Sequence, residues 1–172
     1  MAAPVDPNKL SNTFRDGPLA SHGDKWDALW REDFTPWDRG GPSAALDEIL
    51  ARAARRELEA GVLSPPAGPG AARRTALVPG CGRGHDALLL AAWGYDVVGL
   101  DYSAEAVRRA AENMAAVYDG DEAYRARDGV GARGRVVWLA GDFFADDFVR
   151  EAGIDTFDLI FDYTVSSYRA VS

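Results

Sequence analysis

The sequence predicts an α/β fold built on a doubly wound parallel sheet, and three observations carry that reading. From Thr75 onward, short apolar runs alternate with helical stretches, the pattern of strands covered on both faces by their crossovers. The first run feeds straight into Gly80-Cys81-Gly82-Arg83-Gly84, a glycine turn that opens a helix. Each run ends in glycine, polar or aromatic residues, and sheets of this kind bind ligands at the carboxyl ends of their strands.

Taken in order, residues 1–20 read as a loose lead, because Pro4, Pro7, Gly17 and Pro18 interrupt any period. Residues 21–63 form a tryptophan-bearing helical region. Its first helix is predicted over Ser21 to Arg31, with Trp26, Leu29 and Trp30 on one face. Thr35-Pro36-Trp37-Asp38 and Gly40-Gly41-Pro42 make a stiff connection. Ser43 reads as the N-cap of a second helix, with Leu46, Ile49, Leu50 and Ala53 at helical spacing. Asp47 and Glu48 sit early in it, Arg55 and Arg56 late, and Gly61 is its stop signal. Residues 64–74, rich in proline and glycine, are a linker by composition.

The sheet domain is then predicted over residues 75–164. Thr75 to Val78 is a buried strand ending at Pro79-Gly80, and Asp86 to Ala92 makes a short helix closed by Gly94. Asp96 to Leu100 is the second strand and ends at Asp101. Ser103 caps a helix whose buried stripe is predicted as Val107, Ala110, Ala111, Met114 and Val117. Asp119 to Arg135 is polar and reads as an exposed loop. Val136 to Leu139 is the third strand, and Phe157 to Phe161 follows as the fourth with no helix assigned between them.

Composition narrows the class. The 172 residues, 47% hydrophobic, suit one domain with an ordinary core. With 19 Lys+Arg against 27 Asp+Glu the net charge is −8, which repels phosphate backbones and argues against a nucleic-acid partner. Cys81 is the single cysteine and cannot form an internal disulfide, so a reducing compartment, the cytoplasm, is expected. No run approaches the roughly 18 apolar residues a membrane helix needs, and Met1 to Leu19 lacks the apolar core of a secretory signal. One Cys and two His give no metal-ligand spacing.

The candidate chemistry sits at the strand ends. Glycines at 80, 82 and 84 permit a sharp turn and close approach of backbone amides to a ligand, although a tight turn without a ligand uses the same residues. The spacing G-x-G-x-G differs from the G-x-G-x-x-G of dinucleotide binders, which disfavours a nicotinamide-dependent oxidoreductase, and no Gly-Lys-Ser/Thr ending marks a triphosphate loop. Asp101, 17 residues past Gly84, is placed either to accept from two ribose hydroxyls or to cap the next helix. Asp142 and Phe143 close the third strand, as an acceptor for an exocyclic amine and a ring to pack on it. Tyr163 closes the fourth. Together these ends suggest an adenosine-containing ligand. Trp26, Trp30 and Trp37, spaced W-x3-W-x6-W, are either indoles docked on the core or an aromatic lid over a cationic ligand. Cys81 reads as a small residue in a crowded loop, His22 and His85 as isolated, and Arg83, Arg108 and Arg109 as solvated charges.

These segments resemble a known family. The tryptophan spacing, Thr35-Pro36-Trp37-Asp38, the run from Leu77 to Asp86, Val98 to Ser103, Gly141-Asp142-Phe143-Phe144 and Phe157 to Tyr163 resemble the thiopurine and thiol S-methyltransferases, most of all their plant and fungal thiol/halide branch. The likeness covers about residues 20–164. It implies a Rossmann-like class I methyltransferase fold with S-adenosyl-L-methionine as cofactor. It places Trp26, Trp30 and Trp37 around that cofactor, Gly80 and Gly82 in the loop under its amino-acid part, and Asp101 on the ribose. Asp142 and Phe143 would flank the adenine and Tyr163 would border the transfer site. The implied reaction is in-line displacement by a small thiol, thiocyanate or halide. Such nucleophiles need little general-base help, so no catalytic residue is named.

The family pattern continues past Tyr163 with a further helix and strands, whereas residues 165–172 fit neither the family nor a regular element. Val165-Ser166 is what the intron starts GTAAGT or GTGAGT encode in frame, so the tail reads either as translated intron or as genuine divergence. A sheet ending at the fourth strand exposes an edge, which predicts self-association. The alternative function is an inactive fragment that binds the cofactor without turnover.

Overall fold

Thr75–Pro79 (β1), Asp96–Asp101 (β2), Val136–Ala140 (β3) and Leu159–Ile160 (β4) form one parallel sheet in the order β3-β2-β1-β4. This is seen in a computed structural model that describes residues 8–59, 62–63 and 66–163. The chain steps outward from β1 through β2 to β3, then returns to the other side of β1 with β4. The topological switch point therefore lies at the carboxyl end of β1, where the glycine turn begins.

Period-two alternation sends side chains to both faces. Ala76, Val78 and Val97 join Leu46, Leu50, Leu89 and Leu90 in one core cluster, while Leu77, Val98, Leu100, Leu139 and Phe148 form the second. Each fully buried aliphatic side chain contributes roughly 1.5–3 kcal/mol, so these layers are the main force holding the strands in register. Cover is incomplete at the edges, against the expectation of two fully buried faces: Val137 on β3 and Ile160 on β4 are 45% and 52% exposed.

The helices follow the local sequence closely in places. His22–Arg31 (α2 of the chain, after the short α1 Lys9–Arg15) buries Leu29 and Trp30. Ala44–Ala54 (α3) is capped by Ser43, whose Oγ accepts from the Leu46 N–H at 3.3 Å. His85–Ala92 (α4) is buried almost throughout, and Ala104–Val117 (α5) is capped by Ser103. Among the described residues no helix is long and apolar enough to cross a membrane.

Several expectations need correction. The lead is not wholly loose, because α1 forms inside it. None of its residues is buried, and it is held from outside, by the Phe14 ring 4.5 Å from Trp26 and by Lys9 over the Phe34 ring. Helix α3 stops well before Gly61, which lies outside the described residues. Arg56 takes the left-handed conformation, and the Arg56 and Glu57 N–H groups close back on Ala53 and Arg52 at 3.0 and 2.9 Å. Ile49 is exposed although its neighbours in the predicted stripe are buried. On α5 the fully buried positions are Ala106 and Ala110, with Val107, Met114 and Val117 half-buried and Ala111 exposed, so the inward stripe is rotated slightly.

The segment 119–135 is not simply an exposed loop, since a 3₁₀ turn at Glu122–Tyr124 buries Tyr124 and a later bend buries Val130. A helix, Asp147–Ala152 (α6), lies between β3 and β4 where none was expected. It buries Phe148 against the second cluster and ends at Gly153 in the left-handed region. Residues 66–74 carry no helix or strand. The tail 165–172 lies outside the described residues.

Candidate functional site

A cavity of about 660 Å³ opens over the carboxyl ends of β1 and β2. That volume falls in the range of roughly 300–1,000 Å³ typical of small-molecule sites. Trp26, Trp30, Trp37, Gly80, Gly82, Asp101, Asp142, Phe143 and Tyr163 all line it, although they come from stretches scattered over more than a hundred residues of chain.

The floor is the turn after β1. Gly82 has a positive φ of 54°, a conformation that L side chains rarely adopt, and a Cβ there would come within 3.4 Å of the Trp30 ring. Gly84, also left-handed, answers to packing instead: its Cβ would lie 2.3 Å from the Trp138 ring. The same indole covers Gly99 on β2, where a Cβ would come within 2.4 Å of it. Trp138 thus presses the end of the glycine turn onto the sheet.

Asp101 stands at the end of β2 and is 8% exposed. Its Oδ2 accepts from the Gly82 N–H and its Oδ1 from the Ser103 N–H, both at 3.0 Å. Of the two alternatives weighed for Asp101, the turn and helix-start role is the one these bonds display. It fastens the turn and the helix start while its carboxylate borders the cavity. Burial raises its pKa above the ordinary carboxylate value, against the two N–H bonds, which lower it. Burial, and next the Asp101 charge, push the Cys81 thiol well above its ordinary value. Cys81 is therefore held as a thiol, unsuited to nucleophilic work.

The indoles form the opposite wall. Trp37 meets Trp26 and Trp30 edge-on, with ring centroids 4.8 and 5.9 Å apart. Trp30 is buried, while Trp26 is only half-buried and borders the cavity. Trp30 is thus docked on the core, and Trp26 and Trp37, both half-buried, border the cavity with it. At the third strand end the Asp142 Oδ1 accepts from the Phe144 N–H at 2.9 Å, and the Phe143 ring leans on the second core cluster. Tyr163 is 54% exposed, with the Arg39 guanidinium 4.6 Å over its ring.

Several cavity residues were passed over or discounted by the sequence reading. His85 is not isolated: its Nδ1 lies 2.7 Å from the Tyr124 hydroxyl, and the two rings stack. Burial lowers the His85 pKa below its ordinary value, against the opposing pull of Asp38 and Asp86, and burial raises that of Tyr124 to about 12. Arg83 is not simply solvated but pairs with Asp38. Arg109 is largely buried, donates to Glu105 at 2.8 Å and to the Trp30 carbonyl at 2.9 Å, and packs on the Trp30 ring. Arg108 is exposed, as expected. The one signal that could have found His85 and Asp86 is their place in the first turn of α4, directly after the glycines. Among the described residues no group of three His, Cys, Asp or Glu is placed to hold a metal ion.

The chain is similar to known proteins. The family described as Thiopurine S-methyltransferase (TPMT) matches residues 21–166. "Probable thiol methyltransferase 2" of Arabidopsis thaliana is 31% identical over 139 residues, which cover 81% of this chain and 46% of that protein. "Thiocyanate methyltransferase 1" of Brassica oleracea is 31% identical over 140 residues, 81% of this chain and 47% of that protein. The chain spans about half the length of the curated relatives it matches. A solved structure described as "Conversion of a Disulfide Bond into a Thioacetal Group during Echinomycin Biosynthesis" superposes with a TM-score of 0.50 at 25% identity. That match covers 86% of this chain and 48% of the other. The family match runs through the tryptophan-bearing helix and all four strand ends that build the cavity, and the chain belongs to the thiopurine S-methyltransferase family of S-adenosylmethionine-dependent methyltransferases.

Proposed function

We propose that the cavity over β1 binds S-adenosyl-L-methionine and serves methyl transfer to a small thiol, with thiocyanate or halide as further acceptors. The observation that carries this reading is the convergence of nine residues, drawn from every strand end and from the tryptophan helix, on one cavity at the switch point. The residues present fit the cofactor. Gly82 leaves backbone open at the floor, Asp101 keeps acceptor capacity beyond its two N–H bonds for a ribose, and indole faces suit a cationic sulfonium. When bound, the cofactor supplies an activated methyl group for in-line displacement.

The chain's own residues orient and exclude water. Trp26 and Trp37 form the cover, and a closed aromatic wall strengthens every charge interaction beneath it. Alignment of nucleophile and methyl can supply several orders of magnitude of rate without a general base. We name no catalytic residue, and burial raises the Cys81 thiol well above its ordinary pKa, which disfavours it as a nucleophile. A small-molecule acceptor, rather than nucleic acid, accords with the net charge of −8. A cytoplasmic location and self-association along the outer edge of β4 go with the same reading.

The test is calorimetric titration of S-adenosylhomocysteine into the chain, with Asp101→Ala as control. Saturable binding that the substitution abolishes supports the reading; binding unaffected by it, or absent from the wild type, counts against it. A second reading is favoured by the chain's span of about half its relatives' length: a fragment that binds the cofactor without turnover. Binding with no methylated product from any thiol, thiocyanate or iodide would select it.

A further inference from the structure

Among the described residues, Arg39 is a cation on the cavity wall without an ion-pair partner. Its guanidinium lies 4.6 Å over the Tyr163 ring and donates to the Tyr163 hydroxyl. The turn that presents it is fixed, because Gly40 takes a φ of 69° and its N–H donates to the Asp38 Oδ1 at 2.9 Å. The other guanidinium lining the cavity, that of Arg83, is committed to Asp38. Asp86 feels the Arg39 charge but accepts from the Ser43 N–H at 2.7 Å instead. Arg39 is exposed, so its remaining N–H donors stay open to a ligand.

The rest of the wall repels anions. Asp38, Asp86, Asp101 and Asp142 all line the cavity, in a chain whose net charge is −8. Asp101 and Asp142 stand at the ends of β2 and β3, whereas Tyr163 follows β4 on the other side of β1. Arg39 therefore puts positive charge on the flank opposite them. A guanidinium stacked on an aromatic ring is weakly hydrated, and it pairs best with anions that are weakly hydrated too, such as iodide, thiocyanate or a thiolate. We infer that Arg39, held on the Tyr163 ring, is a specificity-determining residue that draws a soft anionic acceptor to the β4 flank of the cavity and favours it over a neutral one. This rests on the methyl-transfer reading above and names the charge class of its acceptor. An acceptor gathered as an anion has no proton to lose in the site, so none of the carboxylates is needed as a base.

The test follows iodide binding to the full chain by quenching of tryptophan fluorescence, with and without saturating S-adenosylhomocysteine, while fluoride holds the ionic strength constant. Trp37, two residues before Arg39, lines the same cavity and reports the contact. The wild type should show a saturable component that thiocyanate displaces. Arg39→Gln should weaken it about three- to fivefold, the scale of one charge contact at an exposed site, and Arg39→Lys, which keeps the charge, should lose less. Quenching by neutral acrylamide should be the same in all three proteins. Equal iodide affinity in the wild type and Arg39→Gln, equal losses in the two variants, or a parallel change with acrylamide would overturn the inference. Binding of S-adenosylhomocysteine with no saturable iodide component would overturn the role of Arg39 alone. Failure of the wild type to bind S-adenosylhomocysteine would instead overturn the methyl-transfer reading, and the acceptor role with it.

Discussion

The Ser103 hydroxyl donates to the Asp27 carboxylate across 2.7 Å, so the cap of α5 is also a tie to the helix that carries Trp26 and Trp30. The same oxygen accepts from the Ala106 N–H at 3.2 Å, and Ser103 is fully buried. One hydroxyl therefore joins the aromatic wall to the strand end that carries Asp101.

Ser103→Ala should destabilise the chain by about 1–2 kcal/mol, a cap loss with a buried partner left under-satisfied. The measurement is the midpoint of urea unfolding at unchanged m-value. Combined with Asp27→Ala the effects should be non-additive by about 0.5 kcal/mol or more, because the two residues share one bond. Simple additivity would show that the tie contributes nothing.

The three indoles should separate by burial. Trp30→Ala empties a buried site and should cost about 3–5 kcal/mol in thermal or denaturant unfolding. Trp26→Ala removes a half-buried ring at the cavity and should cost less stability while weakening S-adenosylhomocysteine binding. Equal stability losses at the two positions would contradict the division between docked and covering indoles.

His85 gives the fold a pH dependence of defined sign. Burial holds its pKa below the ordinary value near 6.5, so the unfolded chain binds this proton more readily than the folded one. The stability it contributes is complete above the ordinary value and is lost as pH falls toward the lowered one. The melting temperature of the wild type should therefore drop from pH 7 to pH 5 more steeply than that of His85→Gln. Parallel pH profiles for the two proteins would refute the assignment.

Gly84→Ala should destabilise by about 2–4 kcal/mol, from the left-handed backbone and from overpacking against Trp138. Trp138→Leu in the same chain should recover part of the loss. A Gly84→Ala protein with wild-type unfolding would mean that the turn packs differently.

Much of this architecture could be read from the residues because the signals were local. Ser43 and Ser103 sit at the caps their chemistry favours, and strands β1 and β2 start where their apolar runs start and end one residue beyond them. The nine predicted cavity residues were legible because all but Trp37 lie at or past a strand end or recur at helical spacing. What escaped was set by tertiary contact. Helix α1 has no buried residue to give it a period and leans on Trp26, and α6 is too short for a periodic stripe to show. His85 and Tyr124 are 39 residues apart, and only the path of the chain around α4 and α5 brings their polar atoms together. Arg56 in a left-handed bend has no propensity signal at all, since glycine is the residue that such a bend favours.

The strand order has a consequence for how the cavity opens. Its glycine floor follows β1, which is paired along its whole length with β2, whereas β4 touches β1 through only two residue pairs. Amide protons of Leu77 and Val98 should thus exchange with solvent among the slowest in the chain, and those of Leu159 and Ile160 among the earlier ones. Tyr163 lies three residues beyond Ile160, after the weakly paired strand. Exchange in that order would put the floor and the Tyr163 wall in different cooperative units, with one side of the pocket opening while the turn at its base stays closed.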